Sequence, residues 1–364
     1  IIGGPKMAGQ GWRMLVEQLS VGRCISLPSN AAGGAKAGIF ASAAYTRIRK
    51  QFNQPVGRFE GVEAVLKRMA GAAYIVDAAR AVTTGAIDGG EKPSVPAAML
   101  KYHCTEFARQ VANDAMDVHG GKGICLGPKN YLGRGYQVVP VAITVEGANI
   151  LTRSLMILGQ GAIRCHPYVL REMNAAKDKD KRRSLREFDR ALFGHIGYTL
   201  SNAARSFVMA ATFARFSHAP DTRSTRRYYQ HVNKFSAQFA FATDMAMLTL
   251  GGYLKQKEHL SARLGDVLSS LYMASMVLKH CENQGRPEAD LPLVEWSCRT
   301  LLYKAQEQLH DFLRNFPNRF IAGAMRLVIF PRGRTYFAAS DRLGRAIVEP
   351  LMMPSATRDR LAWC

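Results

Sequence analysis

The sequence predicts an all-α protein, and three observations carry that prediction. Apolar and small residues recur at three- and four-residue steps through most of the chain. Glycine- and proline-rich breaks cut this pattern into segments of helix length. Runs with strand-like alternation are scarce. The 364 residues are 48% hydrophobic, which is enough for a buried core and room for more than one domain.

The elements follow in order. Residues 12 to 50 place Trp12, Leu15, Leu19, Ile25, Ala32, Ala35, Phe40 and Ala44 on one face. That spacing predicts one or two long helices, with a kink or break at Pro28. "NQPVG" (53 to 57) reads as a turn. A second helix is expected from about Glu60 to Ala86, and "DGGEKP" (88 to 93) ends it. A third runs from about Val95 to Val118 and stops at "HGGKG", where glycine supplies the helix end. A looser stretch, "LGPKNYLGRG", leads into the apolar run "VVPVAIT". A fourth helix is expected from near Glu146 to about Ala162.

Four long helices joined by short turns suggest an antiparallel bundle. Small residues at Ala31 to Gly34 and Ala70 to Ala73 allow close helix approach. The charged stretch "NAAKDKDKRRSLREFDR" (174 to 190) reads as a domain boundary. A second helical region follows it. The expected organisation is therefore a bundle over 12–172, a charged linker over 173–190 and a helical extension over 191–364.

Charge and cysteine usage narrow the function. The net charge is +21. This suits nucleic acid, an anionic membrane face, or polyanions such as a nucleotide or coenzyme A. Nucleic acid is disfavoured, because the basic residues are not interleaved with aromatics on a strand platform. The seven cysteines are dispersed, with no Cys-x-x-Cys pair, and read as reduced thiols without a zinc site. No stretch has the length of a membrane span, and no signal peptide or methionine opens the sequence. The opening "IIGGPKMAGQGW" reads as the end of a strand entering a turn, as in a fragment or processed product.

Three constellations could carry chemistry. In "YTRIRKQFNQPVGRFEG", Arg47, Arg49 and Lys50 stand at a helix end beside Phe52. Cations there suit the helix dipole. They also suit an anion site in which a guanidinium pairs with phosphate and a ring packs on a heterocycle. In "DVHGGKG", the glycines stop a helix or let the backbone approach a pyrophosphate. In "TVEGAN", Glu146 is either a first-turn acid favoured by the helix dipole or a general base. An apolar pocket raises a carboxylate pKa so that it can accept a proton near neutrality.

Taken in order, "GQGWRML", "VGR", "RKQF", "HGGKG" and "VEG" resemble the acyl-CoA dehydrogenase family over about residues 1 to 165. The remainder, with its "SDRLGRA…PS…RDRL" ending, resembles the C-terminal extension of the bacterial long-chain FadE-type enzymes. The resemblance implies the C-terminal four-helix bundle plus the extension, with residues 1–11 as the end of a truncated central β domain. It implies FAD-dependent dehydrogenation of a medium- or long-chain fatty acyl-CoA in β-oxidation, with electrons passing to an electron-transfer flavoprotein. This chain by itself is expected to be inactive.

Glu146 matches the family's catalytic glutamate. A family subset places the base on the first bundle helix, where this chain has Gly22. Gly147 and Arg23 match substrate-side residues. Arg49, Phe52, Gly120 and Gly121 match residues at the FAD phosphates and adenine, shared with a neighbouring subunit, which implies a homodimer or larger assembly. Glu60 and Asp117 stand where glutamines contact FAD, and Ala148 replaces a threonine there. Asn53 replaces a glycine, Val145 an aromatic residue and Ser20 an acid.

The reduced thiols and the resemblance to bacterial enzymes imply a bacterial cytoplasmic location. The basic stretches "KDKDKRRSLR" and "TRSTRRYY", with the amphipathic helices near them, suggest peripheral contact with an anionic inner-membrane surface. The competing function is a non-enzymatic helical module that binds a partner or a membrane.

Overall fold

The helices end where glycine and proline break the pattern. The protein's computed structural model describes residues 2 to 362, except 12, 13, 15 to 18, 20, 21 and 221 to 223. Trp12, Leu15 and Ser20 lie outside the described residues, as do Cys364, Thr222 and Arg223. Helix α1 spans Ser26–Ile48, α2 Glu60–Asp88 and α3 Ser94–His119. The break expected at Pro28 falls three residues earlier, at Ile25, a turn between helical residues 22 to 24 and α1. Pro28 then sits in the first turn of α1, where its missing N–H has no intrahelical partner to lose. The all-α prediction holds. The strands among the described residues are the two-residue pair β1 (Lys50–Gln51) and β2 (Gln54–Pro55), paired antiparallel.

The tip of that hairpin gives a reason for Asn53, which stands where the resemblance implies a glycine. Phe52 and Asn53 both have positive φ, 50° and 61°. A two-residue hairpin turn needs this conformation at both positions, and asparagine tolerates it better than any residue except glycine.

Two compact units form. The first comprises Ile1–Asn149, Met276–Arg299 and Ala339–Cys364. In it α1, α2 and α3 pack against one another through small residues. Ala31, Ala32, Ala35 and Ala43 are buried, as are Ala70, Ala72 and Ala73. The approach at Gly71 is close enough that a Cβ there would lie 1.9 Å from the Trp296 ring. Asp77 joins Lys36 (2.8 Å) and Arg80 (2.7 Å) inside this unit. Helix α4 (Gly133–Thr144) packs on α3. Later in the chain, α9 (Glu258–Asn283) and α10 (Leu291–Arg314) supply Met276–Arg299 to this unit. The tail returns as α12 (Asp341–Leu351) and α13 (Ala356–Ala362). Lys67 pairs with Asp341 and Arg345 with Glu60 and Glu63, while Arg360 grips Asp290.

The second unit comprises Ile150–Ser275 and Thr300–Ala338. It holds α5 (Ile157–Arg164), α6 (Val169–Ala176), α7 (Lys181–Ala211), α8 (Arg226–Leu250) and α11 (Arg319–Ile329). Here α7 packs on α6, α8 and α11. Asp266, buried, takes both arms of Arg153.

The expected boundaries shift in two places. The expected linker, 173–190, is largely helical: Asp180 caps α7, and its carboxylate accepts from the Arg182 and Arg183 amides. Its charges mark the solvent face of a helix. The apolar run at Val138 is also helical, and much of it is exposed: Val138 is 61% and Val141 54% accessible. The fourth helix, expected from near Glu146 to about Ala162, begins three residues later and runs from Asn149 to Arg164. Glu146 and Gly147 have φ of +54° and +102°, a turn that α-helix cannot pass through, and helix resumes at Asn149. No single helix among the described residues is long and apolar enough to cross a membrane.

Candidate active site

The turn after α4 carries Glu146, and three neighbours shape it. Gly22 comes first. A Cβ built there would lie 2.7 Å from Glu146 Oε1 and 3.0 Å from Oε2. The carboxylate therefore occupies the space that any other residue at 22 would claim. Arg23 comes next. Its Nε and Nη2 donate to the Glu146 backbone carbonyl at 2.8 and 2.5 Å. Burial pulls the Arg23 pKa down, and the Glu146 charge opposes that shift.

Lys101, on the apolar side of α3, was not singled out by the sequence reading. It is fully buried, and its Nζ donates to the carbonyls of Ile143 (3.3 Å) and Gly147 (2.8 Å) and to Asn149 Oδ1 (2.5 Å). Asn149 Nδ2 in turn donates to Thr105 Oγ1 (3.0 Å) and Glu106 Oε1 (2.8 Å). Burial, with help from the Arg23 charge, pushes the Lys101 ammonium down to about 8, against the pull of Glu106 and Glu146.

Against this bonded surround, Glu146 Oε2 is buried and has no hydrogen-bond partner. An unmatched buried carboxylate oxygen is costly, and such groups call for an explanation in function. Tyr136, Val138, Val141 and Val145 beside it in sequence are exposed apolar groups.

A second cluster gathers the aromatic and cationic residues. An open groove of about 770 Å³ is lined by Phe40, Tyr45, Ile48, Arg49, Lys50, Lys122 and Tyr131, among others. The His119 ring stacks on Tyr45 at 4.3 Å. Its Nδ1 bonds the Ala115 carbonyl (2.8 Å) and must donate, so Nε2 accepts from the Tyr131 hydroxyl (2.6 Å). Burial lowers the His119 pKa and Lys122 adds to the effect, so the ring stays neutral, although the Ala115 bond opposes this. Lys122 Nζ lies 5.4 Å from the centre of the Tyr45 ring and 5.1 Å from that of Tyr131. Cations over rings in an open groove suit a ligand with phosphate and a flat heterocycle.

The structure thus brings Glu146, Gly147 and Arg23 together, and sets Arg49 and the Gly120–Gly121 turn at or next to the groove. Gly120 ends α3 with φ +56°, a conformation that favours glycine. Phe52 projects from the hairpin, 87% exposed. Of the seven expected cofactor contacts, only Arg49 is among the groove's lining residues. Besides Phe52, Gly120 and Gly121, the other three are placed elsewhere: Glu60 pairs with Arg345, Asp117 is exposed on α3, and Ala148 is exposed in the Glu146 turn. Tyr45, His119, Lys122 and Tyr131 are residues the sequence reading missed. The signal for two of them was present, since His119 and Lys122 flank the glycines of "HGGKG".

Residues 163–364 match the family described as acyl-CoA dehydrogenase, C-terminal, bacterial type. The chain belongs to the acyl-CoA dehydrogenase family. Residues 9–158 match the acyl-CoA dehydrogenase C-terminal domain. A 3-(aryl)acrylate reductase of Clostridium sporogenes is 35% identical over 144 residues, 38% of this chain and 36% of that protein. The probable acyl-CoA dehydrogenase FadE10 of Mycobacterium tuberculosis is 24% identical over 300 residues, 76% of this chain and 42% of that protein. The chain therefore spans less than half the length of these relatives. A crystal structure of an acyl-CoA dehydrogenase complexed with FAD from Bacillus anthracis aligns with a TM-score of 0.68 at 16% identity. It covers 92% of this chain and 56% of that one, a likeness of fold.

Beyond both clusters, His166, His195 and Asp244 meet in the second unit, with ligand atoms within 4.8 Å of one another. Sequence spacing gave no hint of this. His166 Nδ1 accepts from the Tyr168 and Val169 amides, so its Nε2 carries the hydrogen and donates to Asp244 (2.9 Å). His195 bonds Glu172 (2.8 Å). The trio is satisfied as a hydrogen-bonded network.

Proposed function

We propose that the native protein is a FAD-dependent dehydrogenase that converts a medium- or long-chain fatty acyl-CoA to the trans-2-enoyl-CoA, with Glu146 as the base. The observation that carries this reading is the Glu146 carboxylate, laid on bare Gly22 with a buried oxygen left unmatched. A base must accept a proton from carbon, and an oxygen already committed to a donor does that poorly. In the reaction the α C–H bond breaks and its proton passes to Glu146. The β C–H bond breaks with its electron pair, and the C=C bond forms. FAD, when bound, supplies the acceptor for that hydride.

The groove fits the cofactor's chemistry. Arg49, Lys50 and Lys122 would meet phosphate, Tyr45 and Tyr131 would pack on the heterocycle, and the Gly120 turn leaves backbone room. Phe52, exposed on its hairpin, suits a contact shared with a second copy of the chain, as the family resemblance suggests. Reoxidation by an electron-transfer flavoprotein belongs to the same proposal. The test is the visible spectrum of the native full-length gene product. A yellow protein bleached by palmitoyl-CoA is expected. A colourless protein that takes up no FAD would favour the non-enzymatic module.

A peripheral membrane contact is a second proposal, supported by one surface. Leu185, Phe193, Ile196, Leu200 and Phe207 form an exposed apolar stripe on α7, with Arg182, Arg186 and Arg190 nearby on the same helix. Such a helix face suits an anionic lipid surface. Salt-sensitive co-sedimentation with phosphatidylserine vesicles is expected, and its absence would remove the idea.

A further inference from the structure

We propose that Lys101 is a positioning residue that sets the Glu146 turn. The proposal rests on the reading of Glu146 as the base, and it starts from a problem of conformation. Glu146 is a non-glycine residue at φ +54°, in a turn whose next residue is at +102°. Left-handed backbone at a side-chain-bearing residue costs free energy and persists only where the surroundings over-determine it.

Lys101 supplies that determination. Its ammonium has three hydrogens and meets three acceptors, one before Glu146 (Ile143 O) and two after it (Gly147 O and Asn149 Oδ1). It therefore ties together the two ends of the turn from below, while Arg23 holds the carbonyl of Glu146 itself. None of these donors goes to the carboxylate. The turn is fixed and the base is left unengaged, which is the division of labour that a preorganised site requires.

The cost of the arrangement argues for its purpose. Lys101 shows no exposed surface, although lysine is seldom buried without a role. A methionine at this position would fill a similar space with no charge to desolvate. A buried ammonium that spends every hydrogen on one turn is an expensive way to pack a helix and a direct way to hold a loop. Its second layer is also complete: Asn149 is oriented by Thr105 and Glu106, both from α3. α3 thus presents one prepared surface to the turn.

The experiment has two arms. In the first, ¹⁵N backbone order parameters are measured in this chain and in its Lys101→Met variant. Residues 145 to 148 should fall from about 0.85 to below about 0.6, with α1 and α2 unchanged. An unchanged turn would overturn the proposal. So would a loss of order spread evenly through α1 to α3, which would make Lys101 a core strut. If Lys101→Met does not fold, Lys101→Gln, which keeps an N–H donor for part of the turn, should show a smaller loss of order confined to residues 145 to 148. A loss spread through α1 to α3 would again overturn the proposal.

The second arm is steady-state kinetics of the native full-length enzyme with palmitoyl-CoA. Lys101→Met should lower kcat by about 10²-fold while KM moves less than about threefold, as expected for a misplaced catalytic group. A loosened turn with undiminished kcat would leave the clamp standing and remove Glu146 as the base. A rise in KM with kcat retained, and with residues 145 to 148 no less ordered than in the unsubstituted chain, would overturn the positioning role.

Discussion

The Glu146 turn and the Tyr45 groove use positive charge in opposite ways. At the turn, Arg23 and Lys101 are buried and spend their donors on the chain's own carbonyls and on Asn149. At the groove, Arg49 and Lys50 are exposed, and Lys122 rests over two rings. The first arrangement fixes geometry. The second fixes little and leaves its charges available to an anion. Positioning a proton acceptor needs a dry, over-determined backbone. Binding a polyanion needs cations whose hydration can be exchanged for phosphate at modest cost.

That contrast breaks most decisively at Glu146. Glu146→Gln should lower kcat/KM by about 10²–10⁴-fold while the protein keeps its flavin, with turnover and the flavin spectrum as the paired readouts. Retained substrate bleaching would remove the base assignment.

Gly22→Ala tests the same site by geometry alone. The new methyl group meets only the end of a flexible side chain, so thermal stability should hold. The carboxylate must move, and kcat should fall by about 10²-fold.

The groove should respond differently. Arg49→Ala and Lys122→Ala should each weaken FAD binding by about tenfold, more visibly at low salt, with Glu146 chemistry intact once FAD is saturating. If the two clusters are independent, combining Gly22→Ala with Lys122→Ala should give additive free-energy losses.

The smallest effect is a pH dependence. Lys101 titrates near 8 when folded and near its ordinary 10.5 when unfolded. The unfolded chain therefore binds more protons between those values, and stability should rise with pH across that window. The penalty is fully present below about 8. Urea midpoints from pH 7.5 to 10.5 should show this rise in the native chain and lose it in Lys101→Met.

Much of the helical layout was legible from local rules. "DGGEKP" ends α2, "HGGKG" ends α3, and Pro28 starts a helix because its first-turn position spares it a partner. That the apolar run at Val138 is exposed was not legible, because composition reports the cost of exposure and not which partner removes it. Positive φ at Glu146 was also hidden, since glutamate has no preference for it. Lys101 was invisible for a related reason. A lysine among Met99, Leu100 and Cys104 looks like a face-edge residue until the turn at 143–149 is seen to fold over it.

The sequence by itself determined the all-α class, the helix ends near glycine and proline, and the candidate base and its glycine. These follow from local propensity and from motifs a few residues long. Tertiary structure alone decided that Gly22 clears the space for the Glu146 carboxylate and that Lys101 holds its turn. It also decided that Tyr45 and Tyr131 share a groove with Lys122, and that residues 339–364 return to the unit of the first three helices. Those outcomes depend on contacts between residues far apart in the chain, which local pattern cannot encode.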